Sequence, residues 1–177
     1  TNPDTCWYSL NGGSNVTLAS CDTNGTVLTS NEGVNNVRLC MNDTAGNEGC
    51  DQVYYTKDTT PPQITILSPG NTSYSSNNIW FNVTLNEDGD ACLVDYGFGN
   101  YSLTNSSGNW NYNNASMDDG AYQAIFYCND TLGNLNSTSV YFTVDTTSPV
   151  VTIVVPDNIT YPYDPELNFS YVETNPD

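Results

Sequence analysis

Apolar residues recur at every second position in two short stretches of this chain. Between Ile79 and Leu85, each odd-numbered residue is aliphatic or Phe. Leu167, Phe169 and Tyr171 repeat this pattern further along the chain. A period of two is typical of a β-strand that buries one face, so we predict a strand at both places.

Other short apolar stretches are separated by clusters of Gly, Asn, Asp and Pro, and none sustains a helical period. Such stretches predict further strands at 39–41, 53–56, 64–67, 126–128, 140–144 and 150–155. Many short strands joined by turn-forming residues favour an all-β sandwich.

The chain contains an internal repeat with a period of about 87 residues. The sequence Asp-Thr-Thr-Pro-Pro at 58–62 recurs as Asp-Thr-Thr-Ser-Pro at 145–149. Asn-Asp-Thr-Ala-Gly-Asn at 42–47 recurs as Asn-Asp-Thr-Leu-Gly-Asn at 129–134. Two motifs with one offset indicate that the same supersecondary unit occurs more than once.

Each repeated motif has a structural interpretation. The Asn-Asp-Thr-x-Gly-Asn motif lies between the last two strands of a unit, so we predict a hairpin turn with Gly46 or Gly133 at positive φ. The motif at 58–62 is then the linker into the next unit. Its prolines stiffen it and cannot donate to a strand ladder.

Together these motifs resemble the immunoglobulin-like repeats of long prokaryotic, especially archaeal, cell-surface and filament proteins. Such a unit begins with Asp-Thr-Thr-Pro-Pro, passes through a Cys-Asn-Asp-x-x-Gly-Asn hairpin and ends in Phe-Thr-Val. Residues 128–134 and 142–144 match the second and third of these signatures. The resemblance covers the whole chain and implies tandem immunoglobulin-like sandwiches with a role in adhesion, stalks or filaments.

The phase of the repeat predicts one whole domain flanked by two complementary half-domains. Residues 58–144 form the complete domain, residues 1–57 the C-terminal part of another, and residues 145–177 the first strands of a third. A half-sandwich leaves its apolar face open, so we expect a neighbouring copy to complete it. Thr-Asn-Pro-Asp stands at both ends of the sequence. The copies are therefore either joined in one continuous chain or linked by donation of the two C-terminal strands.

The even number of cysteines indicates disulfides formed in an oxidising compartment. Cys92 and Cys128 are the two cysteines of the complete domain, and we expect them to pair. The six cysteines are Cys6, Cys21, Cys40, Cys50, Cys92 and Cys128.

The pairing in the first 57 residues has two solutions. Cys40 and Cys50 stand symmetrically about the hairpin turn, which favours Cys40–Cys50 together with Cys6–Cys21. The alternative is Cys6–Cys40, by analogy with the complete domain. A zinc site is not favoured, because the chain has no C-x-x-C spacing.

Acceptor patterns for N-linked glycans, Asn-x-Ser/Thr, are about twice as frequent as random placement would give. They occur at Asn15, Asn24, Asn42, Asn71, Asn82, Asn100, Asn105, Asn114, Asn129, Asn136, Asn158 and Asn168. Asn and Thr also suit turns and sheet surfaces, which is the alternative explanation. We predict covalent N-glycans on several of these sites, with Asn82 and Asn168 on the outward faces of their strands.

Charge and composition exclude several functions. The 177 residues include 20 acidic and 2 basic residues, with a net charge of −18 and no His. Nucleic-acid binding needs clustered Lys and Arg, so we expect no such partner. The sequence has neither an apolar run long enough for a membrane span nor a signal peptide. We therefore expect it to begin after any targeting segment or inside a longer protein.

Few residues offer site chemistry. The acidic residues of 87–90, with Asp58 and Asp145 at the junctions, can supply oxygen ligands to Ca²⁺, but no EF-hand pattern is present, so no metal site is assigned. Phosphate-loop, dinucleotide and nucleophile-elbow motifs are absent, and we expect neither a catalytic residue nor an enzyme.

Two functions fit this sequence. The first is a structural subunit or repeat segment of a glycosylated extracellular filament or surface stalk, built from copies of itself. The alternative is an adhesin or carbohydrate-binding module of a large surface protein. Aromatic residues available for such binding are Trp7, Tyr8, Trp80, Trp110 and Tyr112.

Overall fold

A computed structural model describes residues 3–22 and 25–173 of the chain. Every helix or strand within these residues is a β-strand, and the strands form four sheets. They fall into two compact units, the first ending at Thr60 and the second beginning at Pro61. The prediction of an all-β chain is confirmed.

The first unit holds a single antiparallel sheet within its described residues. Its strands are β1 (Pro3–Leu10), β2 (Val16–Thr17), β3 (Gly33–Asp43) and β4 (Glu48–Lys57), in the order β2-β1-β3-β4. The β3–β4 ladder is unbroken from Gly33 opposite Lys57 to Asn42 opposite Glu48. Both strands are much longer than the predicted 39–41 and 53–56, because ladder hydrogen bonds continue through polar residues that carry no apolar alternation.

The second unit contains a sandwich of two sheets. Its strands are β5 (Ile64–Ser68), β6 (Ser73–Tyr74), β7 (Ile79–Leu85), β8 (Gly89–Asp95), β9 (Asn100–Ser102), β10 (Thr104–Ser106), β11 (Asn109–Asn114), β12 (Gly120–Asp130) and β13 (Leu135–Val144). One sheet has the order β10-β11-β7-β5 and the other β6-β13-β12-β8-β9. This strand arrangement is that of an immunoglobulin-like sandwich, as the resemblance implies.

Aromatic residues from both sheets form the core of the sandwich. Phe81 on β7 is fully buried, and its ring centroid lies 6.4 Å from Phe126 on β12 and 6.0 Å from Phe142 on β13. Val83, two residues further along β7, is also fully buried. The alternating apolar residues predicted for Ile79–Leu85 therefore form the face that packs against the opposite sheet.

A separate two-stranded antiparallel sheet follows the sandwich. It consists of β14 (Val150–Val155), which has the predicted bounds, and β15 (Asn168–Val172). We call it the C-terminal hairpin.

The two repeated hairpin turns share one hydrogen-bond pattern. Oδ1 of Asp43 and of Asp130 accepts the backbone N–H groups two and four residues later, at 2.9 Å. Oδ2 of each accepts the side-chain amide of the Asn that ends the motif, Asn47 or Asn134. Gly46 and Gly133 have φ of 82° and 88°, the left-handed conformation expected of them.

We predict that Gly89→Ala destabilises the second unit. A Cβ at Gly89 would lie 2.5 Å from Cδ1 of Leu85 and 3.1 Å from the ring of the buried Trp110. Displacing these side chains should lower the free energy of unfolding by about 1–3 kcal/mol, measured by denaturant titration. Gly49→Ala is the control, since nothing lies within 4 Å of its Cβ position. Equal losses in both variants would contradict the packing argument.

Candidate assembly surfaces

The C-terminal hairpin repeats the pairing of β5 with β7 in the sandwich. Ile66 stands opposite Val83 in the sandwich, and Ile153 stands opposite Phe169 in the hairpin. Ile153 lies 87 residues after Ile66, and Phe169 lies 86 residues after Val83. In both sheets a register irregularity follows at the next step of the ladder. The hairpin is therefore a second copy of one edge of a sandwich sheet.

The side chains that form the core in the sandwich are exposed in the hairpin. Phe81 and Val83 are fully buried, whereas their counterparts Leu167 and Phe169 are 68% and 56% exposed. Tyr171, the next residue on this face, is 69% exposed. We call this surface the hairpin face. It comprises Val151, Ile153, Leu167, Phe169 and Tyr171.

The sheet of the first unit has the register of the second sandwich sheet. Leu39 and Met41 on β3 take the places of Phe126 and Cys128 on β12, each 87 residues later. Phe126 and Cys128 are fully buried, but Leu39 and Met41 are about 40% exposed and Val53 is 57% exposed. We call this surface the open face. It comprises Tyr8, Val37, Leu39, Met41 and Val53.

A disulfide links the two central strands of the second sandwich sheet. Cys92 and Cys128 face each other directly across β8 and β12, with their Cα atoms 4.2 Å apart. Both are buried in the core. The bond joins β8 and β12, whose inner faces the opposite sheet covers.

Two further disulfides stabilise the first unit. Cys6 is joined to Cys21, and Cys40 to Cys50 across the β3–β4 ladder. These are the pairs that the symmetry about the turn favours, and the Cys6–Cys40 bond is not formed. Cys40 adjoins Met41 and so lies on the opposite side of the sheet from the open face. The Cys6–Cys21 bond ties the segment after β2 to β1.

The glycan acceptor sites differ in accessibility. Seven are exposed: Asn15, Asn71, Asn100, Asn105, Asn136, Asn158 and Asn168. Four are half-buried: Asn42, Asn82, Asn114 and Asn129. Asn24 lies outside the described residues. The side-chain amides of Asn129 and Asn136 donate to the carbonyl oxygens of Asp130 and Pro62, at 3.0 and 2.8 Å, so these two nitrogens already have structural partners.

Each linker is held by a carboxylate that the motif analysis does not identify. Glu32 accepts the backbone N–H of Thr59 at 2.9 Å and its hydroxyl at 2.6 Å. Asp119 accepts the N–H of Thr146 at 3.0 Å and the hydroxyls of Thr146 and Thr147, each at 2.9 Å. We call each arrangement a linker latch. The only sequence signal is the shared offset, since both acids and both threonines are 87 residues apart.

Hydrogen bonding lowers the pKa of both latch carboxyls. The Thr59 hydroxyl is the main cause for Glu32, and the Thr146 backbone N–H for Asp119. A lowered pKa means that the folded state favours the carboxylate. The contribution of the latch is therefore present above the ordinary pKa and is lost as the pH falls through the lowered value.

The predicted calcium ligands differ in exposure and in hydrogen bonding. Asp88 and Asp90 are exposed, and Glu87 is half-buried. Asp145 accepts the N–H of Thr147 in the linker. Asp58 makes the matching bond to Thr60 in the first unit.

The candidate sugar-binding aromatics of the second unit lie in different environments. Trp110 is buried in the core, whereas Trp80 is 48% exposed. Tyr112 is half-buried and stacks on Tyr101, with ring centroids 5.0 Å apart. In the first unit Trp7 and Tyr8 are half-buried. Trp80, Trp110 and Tyr112 therefore do not form a shared exposed platform.

A match to a known protein family agrees with this fold. Residues 70–146 match the family of bacterial Ig-like domains. An engineered protein has a TM-score of 0.42 and 12% identity, over 50% of this chain and 21% of its own. The fibronectin(III)-like modules of Clostridium thermocellum CbhA have a TM-score of 0.38 and 15% identity, over 81% and 79%. A Ca²⁺-stabilized adhesin of an Antarctic bacterium has a TM-score of 0.35 and 18% identity, over 89% and 45%.

Among curated protein sequences, none matches this chain. Within residues 3–22 and 25–173, no helix is long and apolar enough to cross a membrane.

We predict that Asp119→Asn loosens the second linker latch. The amide keeps one carbonyl acceptor, but it loses the charge and the second carboxylate oxygen that the Thr147 hydroxyl contacts. Amide exchange of residues 145–148 should become several-fold faster at pH 7, measured by hydrogen–deuterium exchange. At a pH well below the ordinary Asp pKa of 3.8, the variant and the original chain should converge.

Asp118→Asn is the matched control, because Asp118 is exposed and its backbone carbonyl, not its carboxylate, accepts the Tyr122 hydroxyl. If both variants changed linker exchange equally, a general charge effect would explain the result and the latch would not.

Proposed function

We propose that this chain is a building block of a linear head-to-tail array on the outside of a cell. In the array, the C-terminal hairpin of one copy lies on the open face of the next and completes an immunoglobulin-like sandwich. The observation that carries this proposal is the shared register: the hairpin repeats β5–β7, the open sheet repeats β8, β12 and β13, and the apolar faces of both are exposed.

The two faces fit each other in chemistry as well as in register. The hairpin face contributes branched aliphatic and aromatic side chains, and the open face contributes aliphatic side chains, Met41 and Tyr8. Burying each large apolar side chain contributes roughly 1.5–3 kcal/mol, so several on each side can exceed the entropy cost of association. Outward residues of β15, Asn168 and Ser170, remain at the surface in this arrangement.

The same composite sandwich can form within one polypeptide or between separate subunits. In a continuous chain, the hairpin and the open sheet belong to consecutive repeats of one polypeptide. In strand donation, they belong to separate subunits. A contact between unlike surfaces adds copies in one direction without closing, which suits a stalk or filament.

The surface chemistry supports an extracellular location. All six cysteines form disulfides, which persist in oxidising compartments. The exposed acceptor sites provide positions for N-glycans, which would cover strand edges and oppose lateral association. An array coated in this way needs no ion pairs to remain soluble.

We predict that Phe169→Asp abolishes head-to-tail assembly. Phe169 lies on the hairpin face and is exposed in the free chain, so the substitution leaves the fold of one copy unchanged but places a charge in the composite core. Sedimentation analysis and electron microscopy should find single copies instead of long polymers. In a fused tandem pair, the composite domain should lose its thermal transition.

Thr152→Asp is the matched control, because exposed Thr152 lies on the side of β14 opposite the hairpin face, and this variant should assemble normally. Assembly of both variants would exclude the hairpin contact. A single-copy original chain that binds glycans would favour the adhesin alternative.

We expect native material to carry N-glycans at exposed sites such as Asn71, Asn100 and Asn168, and none at half-buried Asn129, whose side-chain amide donates to the Asp130 carbonyl. Glycopeptide mass spectrometry measures this occupancy. After deglycosylation, an intact mass near 19.3 kDa would identify strand donation, and a much larger mass would identify the continuous chain. Unmodified Asn at every site would contradict the glycan coat.

A further inference from the structure

Strand β7 has hydrogen-bonded partners on both edges, but its counterpart β15 has a partner on only one. In the sandwich, β7 lies between β5 and β11. In the hairpin, β15 pairs with β14, the counterpart of β5, and its other edge has no strand within the described residues. If the hairpin alone covers the open face, no strand takes the position that β11 has in the sandwich.

The first unit contains a segment in the chain position of β11. In the sandwich, β11 lies between β9 and β12. In the first unit, the described residues between β2 and β3 include Thr26, Val27, Leu28 and Thr29, which form no strand. Three of these four residues are β-branched and suit a strand. Val27 is 88% exposed and Leu28 is half-buried, so these two neighbouring side chains differ in exposure.

The Cys6–Cys21 disulfide holds the start of this segment beside the open sheet. Cys6 lies on β1, and Leu18, just after β2, donates its N–H to the Cys6 carbonyl at 2.9 Å. The chain from residue 25 onward is therefore tethered within a few residues of the face that the hairpin would cover. A short tether lowers the entropy cost of adding a strand there.

We infer that residues 26–29 of one copy become a β-strand on assembly and pair antiparallel with the free edge of β15 from the preceding copy. This inference rests on the proposed function and adds a second contact to it. The composite sheet then has the order 26–29, β15, β14, as the sandwich has β11, β7, β5. In this order β15 has a hydrogen-bonded partner on both edges, and the exposed Val27 stays on the outer surface.

The sandwich also predicts which backbone groups make the contact. Asn86, the residue after β7, donates its N–H to Gln63 beside β5 at 3.3 Å. Backbone groups alternate along a strand, so Phe81 and Val83 direct their N–H groups toward β11 instead. Val83 stands opposite Trp110, which is core-facing, so core-facing residues of β11 bond to β7. If Thr26 and Leu28 are the core-facing residues of the new strand, their backbone N–H groups donate to β15, and the N–H group of Val27 points away from it.

The test is hydrogen–deuterium exchange on the full chain, or on a fused tandem pair, with the unassembled Phe169→Asp variant as reference. Amides of Thr26 and Leu28 should exchange at least tenfold more slowly in the assembled protein. Assembly in which β3 and β4 are protected but residues 26–29 exchange as in the reference would overturn this inference and leave the proposed function intact. Absence of assembly in the original chain would instead contradict the proposed function.

Proline substitutions provide an independent measurement. Thr26→Pro removes a predicted donor to β15, whereas Val27→Pro removes an N–H that points away from it, and both side chains are exposed in the free chain. We expect Thr26→Pro to weaken assembly about tenfold more than Val27→Pro, measured on protein without N-glycans by the critical concentration for polymer formation. Circular dichroism and thermal unfolding of the unassembled proteins check that each still folds. Equal effects of the two prolines would overturn the predicted edge pairing.

Discussion

A β-sheet with one apolar face is stable in water only when something covers that face. In the second unit of this protein, the sheet containing β7 covers the sheet containing β12, and Phe81 contacts aromatic rings of the opposite layer. The first unit has a sheet of the same register without that cover, and the C-terminal hairpin has the covering strands without a sheet beneath them. The proposed array follows from this single constraint, because each exposed apolar face repeats the register of one side of the closed sandwich.

The remaining features hold the hairpins and the linkers of a single copy. The Asp43 and Asp130 turns fix the β3–β4 and β12–β13 hairpins, and the linker latches fix the backbone that follows each hairpin. Disulfides join segments within each unit. The carboxylates of Glu32 and Asp119 restrain the threonines of the Asp-Thr-Thr motif.

Charge has little part in this stabilisation. In the described residues two ion pairs are formed, Arg38 with Glu48 and Lys57 with Glu32, and all four side chains are partly exposed. Such pairs contribute little. In the proposed array, the net charge of −18 would keep copies apart except where apolar faces meet, since the residues of those faces carry no charge. Acidic surface and glycans would therefore favour growth along the array over sideways aggregation.

The sequence by itself determined the all-β class, the repeat, the two hairpin turns, the alternating strand at Ile79–Leu85 and the strand at Val150–Val155. Each of these depends on local residue pattern, which a linear sequence contains. Strand lengths, the linker latches and the exposure of Leu39 and Phe169 depend on which strands lie beside or opposite one another. Phe81 and Leu167 have the same strand pattern, yet one is buried and the other exposed, because only tertiary structure decides whether a second sheet is present to cover it.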